Sequence, residues 1–548
     1  MPFEQDWYRP RRSSPWRTDR TEDEVGAPTD RSPLPHGQRG NETRLTPSRR
    51  AFLKGALGGA GAVLLGTAAR TPELRPVVNV GPISVPSTTP VPGASGIDHV
   101  VVVMMENRSF DHFMGWMPNA NGTGLGPDGA VVDDARFQSF VYPDRNGTLH
   151  PIWRTTQLNG CGQQDQDHGY TGGRIQRGPD AQMDGFLLDP ENTEYALSYS
   201  LAGARQFSTQ LALNYTTCDN YFCSILTATW PNRFFQHAAQ TDRLNDTTAP
   251  DSDAPDSTGL PASPSTMPAI WDRLNQVGGP TGKYYFSDLP FLGLWGARFI
   301  PISAQYPQFL ADAAAGTLPN VAFVDPRFED EGSGTSGDDH PLSDLRAGDA
   351  FLSEVFHALA DGPLWERTML VVNYDEWGGF FDHVPPPFVA PGNQYIDTVD
   401  VQRAADGTIT GVLSGFRVPC IIASPRTKGD PSNPRVVPTM FDHTSILAFI
   451  ESNWGLAPLT PRDASIPAGP GSTTALSNLG AALRPASDSR VPDLPLLAPF
   501  VSSGCDVPGD PTGGPAVGGQ SLPAPPVMRP PDSQWSALRN SGLLQGWR

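Results

Sequence analysis

The longest unbroken apolar run in the first third of the chain is Val100-Val101-Val102-Val103-Met104-Met105, and it stops abruptly at Glu106-Asn107. A continuous β-branched run of this length predicts a strand buried on both faces, as in a parallel sheet, rather than a half-exposed strand with alternating polarity. Three later runs have the same character: Asn320 to Val324, Thr368 to Tyr374 and Val418 to Ala423. Between them lie helical patterns, one over Gly348 to Ala360 with Phe351, Val355, Phe356 and Leu359 on one face. A second follows Asp442, with Ile446, Leu447, Phe449 and Ile450. The stretch Ser198 to Tyr215 has weaker helical spacing, and Phe110 to Met117 reads as a short helix or turn. Strands alternating with helices predict an α/β fold with a mostly parallel sheet. The segments 118–180, 245–268 and 389–415 have no clear period and are expected to be loops.

Two strands end in paired oxygen ligands, Glu106-Asn107 and Asp375-Glu376. In open α/β sheets ligands gather at the carboxyl ends of the strands. Carboxylate and amide oxygens suit a hard divalent cation. The second pair continues as Trp377-Gly378-Gly379-Phe380-Phe381-Asp382-His383-Val384, where the glycine pair permits close backbone approach to a ligand and His383 is a candidate acid.

Composition narrows the function. The formal charge is −19, from 39 basic and 58 acidic side chains. That argues against nucleic-acid partners, which need a basic face, and against a polybasic membrane anchor. With 56 glycines and 58 prolines the chain must contain long irregular segments. The five cysteines, Cys161, Cys218, Cys223, Cys420 and Cys505, are too scattered for a disulfide scaffold. Cys218 and Cys223 are the nearest pair and the one candidate for a bridge.

The N-terminal region divides by composition. Residues 1–47 are rich in Arg, Pro, Ser and acids and read as a disordered leader. Residues 48–69 begin Ser48-Arg49-Arg50-Ala51-Phe52-Leu53-Lys54 and continue as a soft apolar stretch to Ala69. A twin arginine before such a stretch is a Tat export signal, implying the Tat translocase as a partner and a secreted or cell-wall destination. Residues 70–95 read as a linker, 96–490 as the catalytic domain, and 491–548 as a Gly/Pro-rich tail.

Four strings together resemble the bacterial phosphoesterase family of exported non-haemolytic phospholipases C and related acid phosphatases. They are Glu106 to His112, Thr229-Trp230-Pro231-Asn232-Arg233, Asp375 to Pro387, and Phe441-Asp442-His443-Thr444-Ser445-Ile446-Leu447 with Ile450-Glu451. The resemblance covers roughly 97–455 and implies a three-layer sandwich like that of the alkaline phosphatase superfamily. It implies a hydroxyl nucleophile at Thr229, bound to a divalent cation with Glu106, Asn107, Asp375 and Glu376. His168, His340 and His383 match positions that contact the phosphoryl group or protonate the leaving oxygen. His443 is open between a functional and a structural role, His112 is a supporting residue, and His99, His150, His237 and His357 read as background. The expected substrate is a glycerophospholipid of the phosphatidylcholine type at a membrane surface, with phosphomonoesters as the alternative. The aromatic residues Trp230, Tyr374, Trp377, Phe380 and Phe381 are candidates to hold a choline ammonium by cation–π attraction. A sulfatase is excluded, because such enzymes need Cys or Ser where this chain has Thr229.

Overall fold

In a computed structural model, the described residues are 95–160, 163–249, 262–329, 331, 334–392, 400–467, 469, 471–502 and 534–547. The leader, the Tat segment and nearly all of the linker lie outside them, as do Cys161 and Cys505.

The centre is an eight-stranded sheet. Its strands are β1 (His99–Met105), β2 (Thr216–Cys218), β3 (Gly282–Phe286), β4 (Ser303–Gln305), β5 (Val321–Val324), β6 (Thr368–Tyr374), β7 (Cys420–Ala423) and β8 (Arg435–Val437). The spatial order is β8-β2-β7-β6-β1-β5-β3-β4. β1 lies in the middle, parallel to β6 on one side and β5 on the other, with Val102 opposite Val371 and Phe323. All seven residues of β6 and all but His99 of β1 are buried, as the unbroken apolar runs predict. Burying each such side chain contributes roughly 1.5–3 kcal/mol, so this ladder is the core of the domain.

One strand departs from expectation. β7 runs antiparallel to both β6 and β2. A parallel return requires a crossover, usually a helix. Between Tyr374 and Cys420 the chain contains no helix among the described residues, only loops and a small three-stranded sheet of Phe388–Val389, Val401–Arg403 and Ile409–Leu413. The chain therefore returns in the opposite sense.

Helices cover both faces. They are α1 (Phe110–Met114), α2 (Tyr170–Arg177), α3 (Gln206–Asn214), α4 (Thr229–Ala238), α5 (Tyr306–Ala315), α6 (Leu345–Ala360) and α7 (His443–Trp454). Asn373 donates to Gln236 of α4 at 3.1 Å, while Met105 packs against Gly348 of α6. Asn373 is paired with Met104 and Tyr374 with Met105. Side chains alternate along a strand, so α4 and α6 lie on opposite faces and the fold is a three-layer α/β sandwich.

Two regions expected to be irregular are not. Residues 118–180 contain α2 and a hairpin of Val141–Pro143 with Leu149–Pro151. The tail wraps rather than dangles. Ser353 of α6 holds it at Pro495 and Leu497 through hydrogen bonds of 3.1 Å. A helix, Gln534–Asn540, then returns to the core. There Trp535 is fully buried, stacked on Phe328 with ring centroids 3.9 Å apart. Trp535 also packs edge-on against Trp230.

Cys218 and Cys223 are buried but not bridged. Cys218 lies in the central sheet against the Cys420 thiol, whereas Cys223 turns its sulfur to the Ile225 carbonyl at 3.7 Å. The sheet has separated the two neighbours in sequence.

Candidate active site

The carboxyl ends of β1, β5 and β6 converge, delivering Glu106, Asp325 and Asp375 to one place. The buried guanidinium of Arg233 sits among them. It lies 2.8 Å from Glu106, 3.1 Å from Asp375 and 3.8 Å from Asp325, and donates to the Met104 and Met105 carbonyls. Burial would lower its basicity, but the surrounding carboxylates raise it further, so it stays charged. Phe328 covers its face at 4.6 Å and Trp535 at 5.7 Å.

Arg233 belongs to α4, and the string Thr229 to Arg233 reads as instructions for starting that helix. Thr229 is its first residue. Pro231 falls in the first turn, where an amide N–H has no partner to lose. Asn232 bends its side chain back, accepting from Ile225 N–H at 3.0 Å and donating to the Thr227 carbonyl at 2.8 Å, which fixes the entering loop. Arg233, four residues after Thr229, extends from the same helix face. The helix N-terminus supplies a positive field to the Thr229 hydroxyl. Asp246 accepts from Trp230 N–H at 2.6 Å beside it, and burial pushes its carboxyl up to about 7.

Asn107 joins the elements. Its φ is +57°, a left-handed conformation that asparagine tolerates better than most residues. Its backbone N–H donates to Asp375 at 3.0 Å. Its side-chain amide spans two groups: Thr229 Oγ1 donates to Oδ1 at 3.3 Å, and His168 Nε2 lies 3.2 Å from Nδ2. His168 Nδ1 donates to the Gln166 carbonyl at 2.7 Å, and Nε2 is 4.0 Å from Glu376. Burial alone would lower this imidazole, but the Glu376 and Asp165 carboxylates outweigh it and push it up to about 10.

The glycine pair after Glu376 has φ of +64° and +73°. It approaches protein rather than ligand. A Cβ on Gly378 would sit 2.1 Å from the Asn107 carbonyl oxygen, and one on Gly379 would sit 2.5 Å from Gln166. Glycine here lets the β6 loop close over both the β1 end and the segment carrying His168.

The other predicted residues scatter. His340 lies near Asp165 (3.8 Å) and Glu331 (4.0 Å), and burial depresses it to about 4. His383 is held elsewhere. Its Nδ1 is 2.5 Å from Asp111, and its Nε2 faces Arg136 and Asn121. Arg417 clasps Asp111 at 3.1 Å and Asp382 at 2.9 Å in the same cluster. The structure thus brings His168, not His383, to Asn107 and Glu376. The Asp-His strings 111–112 and 382–383 close one motif onto the other. His112 supports from behind, with Nδ1 on the Ser198 carbonyl (2.6 Å) and Nε2 on Arg108 (2.8 Å). Trp230, Tyr374, Trp377, Phe380 and Phe381 are all core residues, at most 2 % exposed, and form no open aromatic box.

The cation expected here fits the donor set. Glu106, Asn107, Thr229, Asp375 and Glu376 offer only hard oxygen, and Glu376 Oε1 is buried without a hydrogen-bond partner, whereas Glu106 is ion-paired with Arg233. Burial raises the carboxyls of Glu106, Asp375 and Glu376, outweighing the opposing Arg233 guanidinium at the first two. Sequence reasoning missed Asp246, which has no local signal. It quoted Arg233 without a role, although the four-residue spacing from Thr229 points to one.

Residues 97–457 match the model of the Phosphoesterase family. The chain belongs to that family. The phosphoesterase is therefore a hydrolase of phosphoric esters. It is 30 % identical over 454 residues to Phospholipase C A of Mycobacterium tuberculosis, covering 75 % of this chain and 81 % of that one. It is also 30 % identical over 390 residues to Non-specific phospholipase C1 of Arabidopsis thaliana, covering 67 % and 69 %. Among solved structures, a protein in the alkaline phosphatase superfamily from Vibrio parahaemolyticus overlaps 47 % of this chain and 63 % of its own, with 13 % identity and a TM-score of 0.28.

His443, at the start of α7, faces the end of β6. Its Nε2 donates to the Tyr374 carbonyl at 3.0 Å, its Nδ1 is buried without a hydrogen-bond partner, and burial depresses it to about 4. An unfolded histidine titrates near 6.5, so the folded state binds fewer protons here. The stability this residue contributes is complete above about pH 6.5 and is lost as pH falls toward 4, by roughly 3 kcal/mol. His443→Gln should flatten that part of the pH–stability curve, measured by urea unfolding at pH 7, 6, 5 and 4.

Proposed function

We propose that this phosphoesterase is a phospholipase C, hydrolysing the phosphodiester of a phosphatidylcholine-like glycerophospholipid to diacylglycerol and a phosphorylated head group. The observation that carries the reading is Thr229 at a helix N-terminus, its hydroxyl bonded to Asn107 among buried carboxylates. Relatives named phospholipase C in both a bacterium and a plant support the substrate class.

In this reading Thr229 reacts ionised, its hydroxyl proton already lost to solvent, so Oγ1 attacks phosphorus in line and forms a phosphothreonine as the bond to the diacylglycerol oxygen breaks, and it departs as the same alkoxide when that ester is hydrolysed. The departing oxygen takes the proton from His168 Nε2. His168 then accepts a proton from water, which attacks the phosphothreonine and releases Thr229. The helix N-terminus favours the developing charge on Oγ1. Arg233 holds Glu106 and Asp375 in place. A divalent cation held by Glu106, Asn107, Thr229, Asp375 and Glu376 would supply Lewis acidity to the nucleophile and phosphoryl oxygens. His168 has a side chain 12 % exposed, whereas that of Glu376 beside it is fully buried, so substrate enters over His168.

Thr229→Ala should lower kcat on phosphatidylcholine at least ~10³-fold, whereas Thr229→Ser retains part of it. Chelation should abolish diacylglycerol release, and added divalent cation should restore it. Hydrolysis of p-nitrophenyl phosphate alone, with no diacylglycerol formed, would move the protein to the phosphomonoesterase alternative.

His168→Ala separates the acid from a binding role. Loss of a general acid costs about 10²–10⁴-fold where the leaving group is a poor one. Diacylglycerol needs a proton to depart, and p-nitrophenolate does not. Activity on phosphatidylcholine should therefore fall far more than activity on p-nitrophenyl phosphorylcholine. Equal losses on both would show that His168 only binds.

We further infer export by the Tat pathway, from Ser48 to Lys54 and the apolar segment after it. Among the described residues no helix is long and apolar enough to cross a membrane. Replacing Arg49 and Arg50 by lysine should hold the enzyme inside the cell, read as activity in the cell fraction against the medium and wall. Unchanged export would exclude this route.

A further inference from the structure

Beside the proposed catalytic set lies a second group of acids. Glu106, Glu331 and Asp338 each place a carboxylate oxygen within 4.8 Å of the other two. All three are at least 99 % buried. Glu106 N–H donates to the Asp338 carbonyl at 2.8 Å, which ties the Asp338 loop to the end of β1. Asp338 Oδ1 accepts from Ser336, Ser343 and the His340 N–H, leaving Oδ2 without a hydrogen bond. Glu331 meets the Glu106 carboxyl side chain to side chain, and neither of its oxygens has another hydrogen-bond partner.

The local charge does not balance. Arg233 pairs with Glu106, and it is already divided among Glu106, Asp375 and Asp325. Three buried carboxylates together demand a proton or a metal ion.

An independent side chain points to the same space. His340 is 4 % exposed. Its Nε2 is 4.0 Å from Glu331 and 3.8 Å from Asp165, outside hydrogen-bond distance of both, and its Nδ1 has no partner. A buried imidazole held just short of a carboxylate leaves room for something between them that takes both nitrogen and oxygen donors.

We infer that Glu106, Glu331 and Asp338, with His340 at the rim, form a second divalent-cation site that shares Glu106 with the set at Thr229. Three carboxylates and one imidazole suit Mg²⁺, Mn²⁺ or Ca²⁺ better than a thiophilic metal. Bound there, the ion fastens the loop carrying Glu331, Asp338 and His340 to the β1 end. It also fixes the Glu106 side chain.

Mn²⁺ binding to the chelator-treated full chain, counted by equilibrium dialysis, tests this. The double variant Glu331→Gln/Asp338→Asn should bind one Mn²⁺ fewer per chain than the wild type, while Glu376→Gln retains that ion. Equal binding by the double variant and the wild type overturns the proposal, because the acids then hold protons. One ion in the wild type, lost in both variants, also overturns it, because a single site then serves all the ligands. If Glu376→Gln binds as the wild type does and the double variant still loses its ion, this site stands and the cation set at Thr229 is the reading that fails. Circular dichroism checks folding, and Glu331→Gln alone is read for the same loss if the double variant does not fold.

Discussion

The site depends on one buried cation, the Arg233 guanidinium. Three parallel strands end at the same level and each delivers a carboxylate, Glu106, Asp325 or Asp375. Left alone, three such groups in a dry interior would repel each other and take up protons. Arg233 lies among all three and also caps the Met104 and Met105 carbonyls at the end of β1. The same helix carries Thr229 at its first position. Bringing the cation among the carboxylates and placing Thr229 are thus one event, the docking of α4 against the sheet.

This coupling explains why the recognisable strings are longer than the chemistry requires. Asn232 and Pro231 start the helix. Gly378 and Gly379 allow the β6 loop to lie against Asn107 and Gln166. Asp111, Asp382, His383 and Arg417 lock the α1 region to the same loop. Residues that look catalytic by type are partly the frame that holds the catalytic ones still.

The frame was legible where burial is complete. β1, β5 and β6 are nearly pure apolar runs, and α6 and α7 show plain helical spacing, so both faces of the sheet could be read. The orientation of β7 was not, because direction depends on what lies between strands and the 375–417 excursion has no period. The hairpin at 141–151 and α2 were invisible for a related reason. Their residues are mostly polar or glycine, and tertiary contacts rather than local pattern stabilise them. At the site, the acid pairs stood out because they end apolar runs, whereas Glu331, Asp338 and Asp246 sit in loops where an acid is ordinary. His383 could not be placed from the sequence, because an Asp-His pair reads the same whether it lies beside Asn107 or, as here, in a cluster with Asp111 and Arg417.

The helix Gln534–Asn540 closes the arrangement from far away in sequence. Trp535 lies over Phe328, Trp230 and the Arg233 guanidinium, and without it the aromatic cover on that cation is incomplete. The cover therefore forms only when two distant parts of the chain meet. Loosening this helix would let water reach the guanidinium and weaken its hold on the three carboxylates, although no residue of the helix touches them.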